Sequence, residues 1–390
     1  MTRAHAILSA SSAHRWLECP GSARLEEQFP DSTSQYAELG TLAHYAAETE
    51  LLRHLGRMPV EEYNAVCADL RSDSRVTPEF LEHVKVYVDL AKRKIAAAGP
   101  DATVMVEERL DFSHVVPEGF GTGDLVIIAD RVLDIVDLKF GTGIAVAADE
   151  NEQLMLYGVG AVEQFSLLYE FDTVRLTICQ PRRSEEPSEW EISVTELTQW
   201  ANEHVAPRAQ AAFAGSDVFK PGDWCGFCRA KAQCRARAEA NLALTQYEFA
   251  APELLAENEI AEILAQADQL KRWASDIQAY ALAQASVGHR FPGWKLVRGR
   301  STRKLSDPDA AAARLVAEGF PEAVLFERSL LGITALEKVV TKKKFAELLD
   351  DLIIKPPGSP TLVPASDPRP EVEASALDGF ETRFTGEPAL

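Results

Sequence analysis

The chain has 390 residues, a formal net charge of −20 and 46% hydrophobic residues, enough for one decorated core or for two to three domains. No apolar run approaches a membrane span, and the opening Met-Thr-Arg-Ala-His-Ala-Ile-Leu-Ser-Ala lacks the apolar region of a signal peptide, so a cytoplasmic protein is expected. The acidic balance excludes indiscriminate nucleic-acid binding over the whole surface but leaves room for a local basic channel.

Ser9 to Ser12 offer N-caps for a short helix through Arg15, Trp16 and Leu17, which Pro20 and Gly21 stop, leaving Cys19 at its C-terminal edge. Residues 35–55 form the next helical pattern, with His44 inside it; a histidine there reads on its own as a core or surface residue. A further amphipathic helix over 78–98 carries Phe80, Val84, Tyr87, Val88 and Ala91 at helical spacing.

Strands begin with Thr103–Phe112, which carries Glu107 and Glu108. The β-branched runs Leu125–Ile128 and Val132–Val136 flank a tight Ala-Asp-Arg turn and predict a hairpin. Asp124 stands where the first of these leaves an expected Gly-Thr-Gly turn, and strand alternation puts Asp137 and Lys139 on one face. The hairpin can thus gather two carboxylates and an ammonium, a set that suits Mg²⁺ or Mn²⁺ with lysine assisting an attacking water. After a break at Gly141-Thr142-Gly143, a helix is expected over 149–162, where Gln153 and Tyr157 share a face. Two more strands follow at 173–180 and 189–194, then a helix over 195–214. The fold class is α/β: a mixed central β-sheet flanked by helices, with helical additions at both ends.

The segment from Trp224 to Cys234 holds Cys225, Cys228 and Cys234. A Cys-x-x-Cys clamp with a third cysteine nearby wants a fourth ligand, and Cys19, also beside Pro and Gly at a helix end, supplies it; Cys67 and Cys179 read as core residues. Six cysteines in a reducing compartment favour thiols or metal ligands over disulfides, and spacing leaves zinc and a cubane iron–sulfur cluster both open. A long packing helix is expected over 252–287. Residues 288–305 then contain six Lys or Arg and no acid, with Trp294 among Lys295, Arg298, Arg300, Arg303 and Lys304. That mixture suits a phosphate backbone and a stacked base, or equally a solvated basic loop. Two shorter helices are expected near 307–318 and 342–350. The organisation predicted is a helical part over 1–100, an α/β core over 101–215, a cysteine segment over 216–240, a helical and basic region over 241–364, and a disordered tail over 365–390.

Gly40-x-x-x-His44, Gly-Thr-Gly-Asp124, Asp137-Leu138-Lys139 and Gln153-x-x-x-Tyr157 occur in that order, and the set resembles the PD-(D/E)XK nuclease superfamily in its RecB-like branch. The cysteine layout is similar to that of iron–sulfur members such as the AddB nuclease domain and CRISPR-associated exonucleases. The C-terminal Lys355-Pro-Pro-Gly-Ser-Pro-Thr-Leu-Val-Pro364 is similar to that of phage and prophage nucleases of the branch. The resemblance implies a restriction-endonuclease-like core over 101–215 and a metal-dependent deoxyribonuclease, an exonuclease of phage recombination or end processing in the bacterial cytoplasm. It implies that His44, Asp124, Asp137 and the Leu138 carbonyl bind Mg²⁺ or Mn²⁺, that Lys139 activates the water, and that Gln153 and Tyr157 brace the lysine and the DNA. It also implies a [4Fe–4S] cluster on Cys19, Cys225, Cys228 and Cys234. Asp137 stands where the family often has Glu, and Glu107 or Glu108 could add a carboxylate. The implied partners are DNA and a phage single-strand annealing or single-stranded-DNA-binding protein, with an oligomer left open. The competing expectations are a non-catalytic DNA-binding scaffold and a zinc-stabilised protein adaptor.

Overall fold

A computed structural model describes residues 6–30, 35–143, 145–184, 186–243, 256–299, 301–326, 330–354, 360–364 and 369–372. Arg300, residues 355–359 of the Pro-rich signature, and all but 369–372 of the tail expected over 365–390 lie outside the described residues. The chain divides into two compact units, Met1–Gln269 and Leu270–Leu390. Among the described residues no helix is long and apolar enough to cross a membrane.

The first unit opens with helices α1 (Ala13–Glu18), α2 (Ser22–Glu26), α3 (Gln35–His54), α4 (Val60–Ser72) and α5 (Pro78–Ala98). Strands β1 (Thr103–Asp111), β2 (Phe120–Ala129) and β3 (Val132–Leu138) follow, then α6 (Glu152–Phe165), β4 (Thr173–Cys179) and β5 (Ser188–Ser193). Helix α7 (Val194–Trp200) continues through a π turn at Ala201–Val205 into α8 (Ala206–Ala214), and α9 (Arg235–Leu242) follows the cysteine segment. Thr77 and Asn151 cap α5 and α6 by accepting bonds from Phe80 N–H and Leu154 N–H.

The five strands make one sheet in the order β1-β2-β3-β4-β5. All pairs are antiparallel except β3 with β4, which are parallel and joined across α6. The fold is therefore the mixed, helix-flanked α/β sheet expected from the pattern. Asp130 and Arg131, both left-handed (φ 49° and 65°), form the two-residue β2–β3 turn, a geometry that matches strand twist. Both faces of the sheet are covered, which is why β2 and β3 read as continuous apolar runs rather than alternating ones. Val126, Ile128, Leu133 and Ile135 pack with Leu154, Tyr157 and Trp16 on the α6 and α1 side. Leu125, Ile127, Val136 and Leu138 pack with Ala43, Val84, Tyr87 and Val88 on the α3 and α5 side.

The expected Gly-Thr-Gly turn is not a turn. Gly121, Thr122 and Gly123 belong to β2 and pair with Leu110, Arg109 and Glu108 of β1. Gly121 serves close approach: a Cβ there would lie 2.5 Å from Tyr157 Cε1, so the tyrosine ring rests on bare backbone.

The second unit begins within α10 (Glu257–Ser286), which crosses the division. It contains β6 (Trp294–Arg298), β7 (Lys304–Leu305), α11 (Pro308–Ala317), α12 (Glu322–Leu325), α13 (Ile333–Val340), α14 (Lys342–Leu349), β8 (Ile353–Ile354) and β9 (Pro360–Pro364). Leu315, Leu325, Leu336, Phe345 and Leu349 form its core. The basic stretch is in part a strand rather than a loop, since β6 pairs antiparallel with β9.

Gly121→Ala should destabilise the protein by about 1–3 kcal/mol, because the buried Tyr157 ring has to move. Urea denaturation measures this, and an unchanged midpoint and slope would contradict the close packing described.

Candidate functional site

Strand register brings three carboxylates into one row. Leu125 pairs with Val136, so Asp124 and Asp137 are the next residues across from one another on β2 and β3. Glu107 lies between Val106, opposite Leu125, and Glu108, opposite Gly123, which sets it across from Asp124. Like charges directly opposite one another repel, and Asp124 and Asp137 are 8% and 2% exposed, so water does little to screen them. Glu107 has a left-handed backbone (φ 51°) inside a strand, a strained state for a residue with a Cβ.

Two cationic side chains answer the row. His44, from α3, places Nδ1 3.2 Å from Asp124 Oδ1 and 3.9 Å from Glu107 Oε1. Lys139, just past β3, places Nζ 2.8 Å from Asp137 Oδ2 and donates to Asp137 Oδ1 at 3.1 Å and to Gln153 Oε1 at 2.9 Å. Gln153 in turn donates through Nε2 to Asp137 Oδ1 (3.3 Å) and to Tyr157 Oη (3.1 Å), so the first turns of α6 hold the lysine on the row. Leu138 donates its N–H to Asp124 Oδ2 at 2.6 Å, fixing that carboxylate between the strands. Asp137 Oδ2 is buried and is met by the Lys139 ammonium alone.

Among the described residues, His44, Glu107 and Asp124 place three ligand atoms within 4.8 Å of one another. Sequence reasoning offered Glu107 and Glu108 as alternatives. The structure separates them, since Glu108 accepts a bond from Gln164 Nε2 (3.1 Å) at the surface. The donor set of imidazole and carboxylates fits a hard divalent cation such as Mg²⁺ or Mn²⁺.

The charges shift one another's protonation. Burial disfavours a charged imidazole at His44, but the hydrogen bond and charge of Asp124, aided by Asp137 and Glu107, outweigh it and raise the pKa to about 9. Burial, then the charge of Asp124, pushes Glu107 up to about 7. Burial also raises Asp137, against the pull of Lys139. Without a cation the site thus keeps protons that a cation would displace.

A second group of residues meets elsewhere in the same unit. Cys19 ends α1, Cys225 lies in the 3₁₀ turn Asp223–Phe227, Cys228 follows that turn, and Cys234 caps α9. All four line one recess, together with Arg15, Lys220 and Arg237. Backbone N–H groups of Lys220 and Gly222 point at the sulfurs of Cys19 and Cys225, each at 3.4 Å. Burial raises the thiols of Cys19 and Cys225 and brings Cys228 to about 12, so the thiolates that a metal needs would form only with the metal. The fit to a thiolate-bound centre is good in donor type and enclosure. His14 of α1 lies 2.9 Å (Nδ1 to Oε1) from Glu152, the residue before Gln153, which joins the helix ending at Cys19 to the start of α6.

The expected DNA-binding residues belong to the second unit. Trp294 and Arg298 are exposed on β6, flanking buried Leu296 and Val297, with Lys295 half-buried. Arg303 is engaged by Glu337.

In metal-free protein, His44 should titrate near 9, and Asp124→Asn should move it down because burial then dominates. A raised imidazole contributes stability that is fully present below its unfolded value of about 6.5 and is lost as pH rises toward 9. Histidine NMR in chelator checks both. A midpoint at or below the ordinary histidine value in the wild type would contradict the arrangement.

Among solved structures, one described as the crystal structure of SSO0001 is similar to this chain at 12% identity and a TM-score of 0.26, over 58% of this chain and 85% of that one. A likeness that loose says nothing of chemistry. The profile of a family described as "Protein of unknown function (DUF2800)" matches residues 5–370, and the chain, carboxylate row and cysteine recess included, belongs to that family.

Proposed function

We propose that the protein is a divalent-cation-dependent deoxyribonuclease. The observation that carries the reading is the row of Glu107, Asp124 and Asp137 across three strands, with His44 at one side and Lys139 held by Asp137 and Gln153. His44, Asp124, Asp137 and the Leu138 carbonyl, joined by Glu107, would hold Mg²⁺ or Mn²⁺. A bound cation supplies polarisation of a phosphoryl oxygen and a more acidic water. Lys139 presents an ammonium whose position is fixed before substrate arrives, so it can orient the attacking water and stabilise charge developing on phosphorus. Gln153 and Tyr157 hold that ammonium in place.

The finer assignment rests on the motif resemblance. It is a RecB-like PD-(D/E)XK exonuclease acting in phage recombination or DNA end processing, with a structural [4Fe–4S] cluster. Four cysteines lining one recess supply donors that suit a tetrahedral zinc and a larger iron–sulfur cluster alike. The net charge of −20 suits the competing zinc-stabilised adaptor better than it suits a DNA enzyme, and metal analysis separates the two.

Asp124→Ala and Lys139→Ala should each reduce Mg²⁺- or Mn²⁺-dependent cleavage of linear DNA by about 100-fold or more, with circular dichroism unchanged. Retained cation-dependent cleavage in either purified variant would overturn the proposal. Protein purified without oxygen should carry about four irons per chain and absorb broadly in the visible, and Cys19→Ser should lose both. One zinc per chain with no cleavage would point to the adaptor instead.

A further inference from the structure

Helices α4 and α5 both pack on α3, and all three line a cleft of about 310 Å³, the size of a small-molecule site. Its floor is apolar: Ala46 of α3, Leu70 of α4, and Val84 and Val88 of α5 are all buried. Ala46 and Glu50 lie on the side of α3 turned away from His44, at about 3.6 residues per turn. The cleft is therefore separate from the carboxylate row. Its charged side chains are Glu50, Asp89, Arg71, Lys85 and Lys92. Both acids are engaged. Tyr63 donates through Oη to Glu50 Oε1 at 2.6 Å, and Lys85 pairs with Asp89 one helical turn away. The side chains of Lys92, half-buried, and Arg71, exposed, have no ion pair or hydrogen bond among the described residues. An apolar floor thus meets two cations without a counter-charge, in a chain whose net charge is −20.

We propose that this cleft binds a small amphipathic anion, its hydrocarbon part lying on Leu70, Val84 and Val88 and its carboxylate taken by Lys92, with Arg71 adding positive charge at the rim. The floor supplies affinity by removing apolar surface from water, and the unpaired cations choose the sign of the head group. Lys92 is suited to this, because a lysine can lay its methylene stem along an apolar wall and keep its ammonium at the polar end. The acids do not oppose the anion, since Glu50 is met by the Tyr63 hydroxyl and Asp89 by Lys85. A ligand with a positive head would instead find both carboxylates already occupied and two cations repelling it. The inference stands apart from the nuclease reading, and its test uses no measure of DNA cleavage.

The test is calorimetric titration of the full chain with decanoate, below its micellar range, and with decyltrimethylammonium, which carries the same alkyl chain on a positive head. Wild type should bind one decanoate saturably and the cationic amphiphile about tenfold more weakly or worse. The surface variant Arg71→Gln/Lys92→Gln should lose about tenfold or more in decanoate affinity, the worth of a charge-assisted contact. Cys67→Trp, which fills the cleft from the α4 side, should abolish binding of both amphiphiles. No saturable decanoate binding by wild type would overturn the proposal, as would equal affinity for the two head groups. Undiminished decanoate affinity in either folded variant would place the ligand elsewhere and would overturn it too. If Cys67→Trp fails to fold, the double glutamine variant still decides.

Discussion

Electrostatic repulsion within one row of the sheet governs this structure. Three carboxylates face one another across adjacent strands, two of them nearly dry. A fold could avoid this by placing apolar residues there, as it does one step away at Val106, Leu125 and Val136. The row persists because positive charge is brought to it from two directions, His44 on α3 and Lys139 at the end of β3. In water such pairs would be worth little; out of water each becomes decisive for the protonation of its neighbours. The imidazole is held charged and Glu107 is driven toward its neutral form. A divalent cation would relieve the same repulsion more completely.

The rest of the first unit can be understood as support for that row. Helix α6 supplies Gln153 and Tyr157, and Gly121 gives the tyrosine ring room to lie against β2. The parallel β3–β4 pairing continues just past the strand, where Lys139 N–H bonds the Cys179 carbonyl at 2.8 Å. The lysine backbone is therefore fixed as firmly as its side chain. The cysteine recess joins α1 to the segment after α8, and His14 connects α1 onward to Glu152. A metal bound there would close a loop that contains the whole sheet, and so would limit the freedom of the unfolded chain.

Much of this was legible in the sequence, for identifiable reasons. The β2–β3 hairpin shows because its strands are β-branched and its turn is short. The helix over Pro78–Ala98 shows because its apolar spacing is regular and Thr77-Pro78 marks its start. Helices α12 and α13 span only four and eight residues, too short for a helical period to stand out in the sequence. Gly121–Gly123 reads as a turn because glycine carries no strand signal; only the Tyr157 ring, distant in sequence, explains it. Glu107 and Glu108 are alike on paper, and the left-handed backbone that singles out Glu107 has no sequence signature. Lys139 and Asp137 could be paired from strand alternation, whereas the part His44 plays needed the tertiary fold to set α3 beside β1 and β2.

Anomalous diffraction from crystals grown with Mn²⁺ would show whether the carboxylate row holds a cation. The expected result is a strong manganese peak within coordination distance of His44 and Asp124, with Asp137 Oδ2 turned toward it. An ordered row with Lys139 still spanning Asp137 and Gln153 and no manganese beside it, at concentrations that saturate ordinary Mg²⁺ enzymes, would contradict the claim.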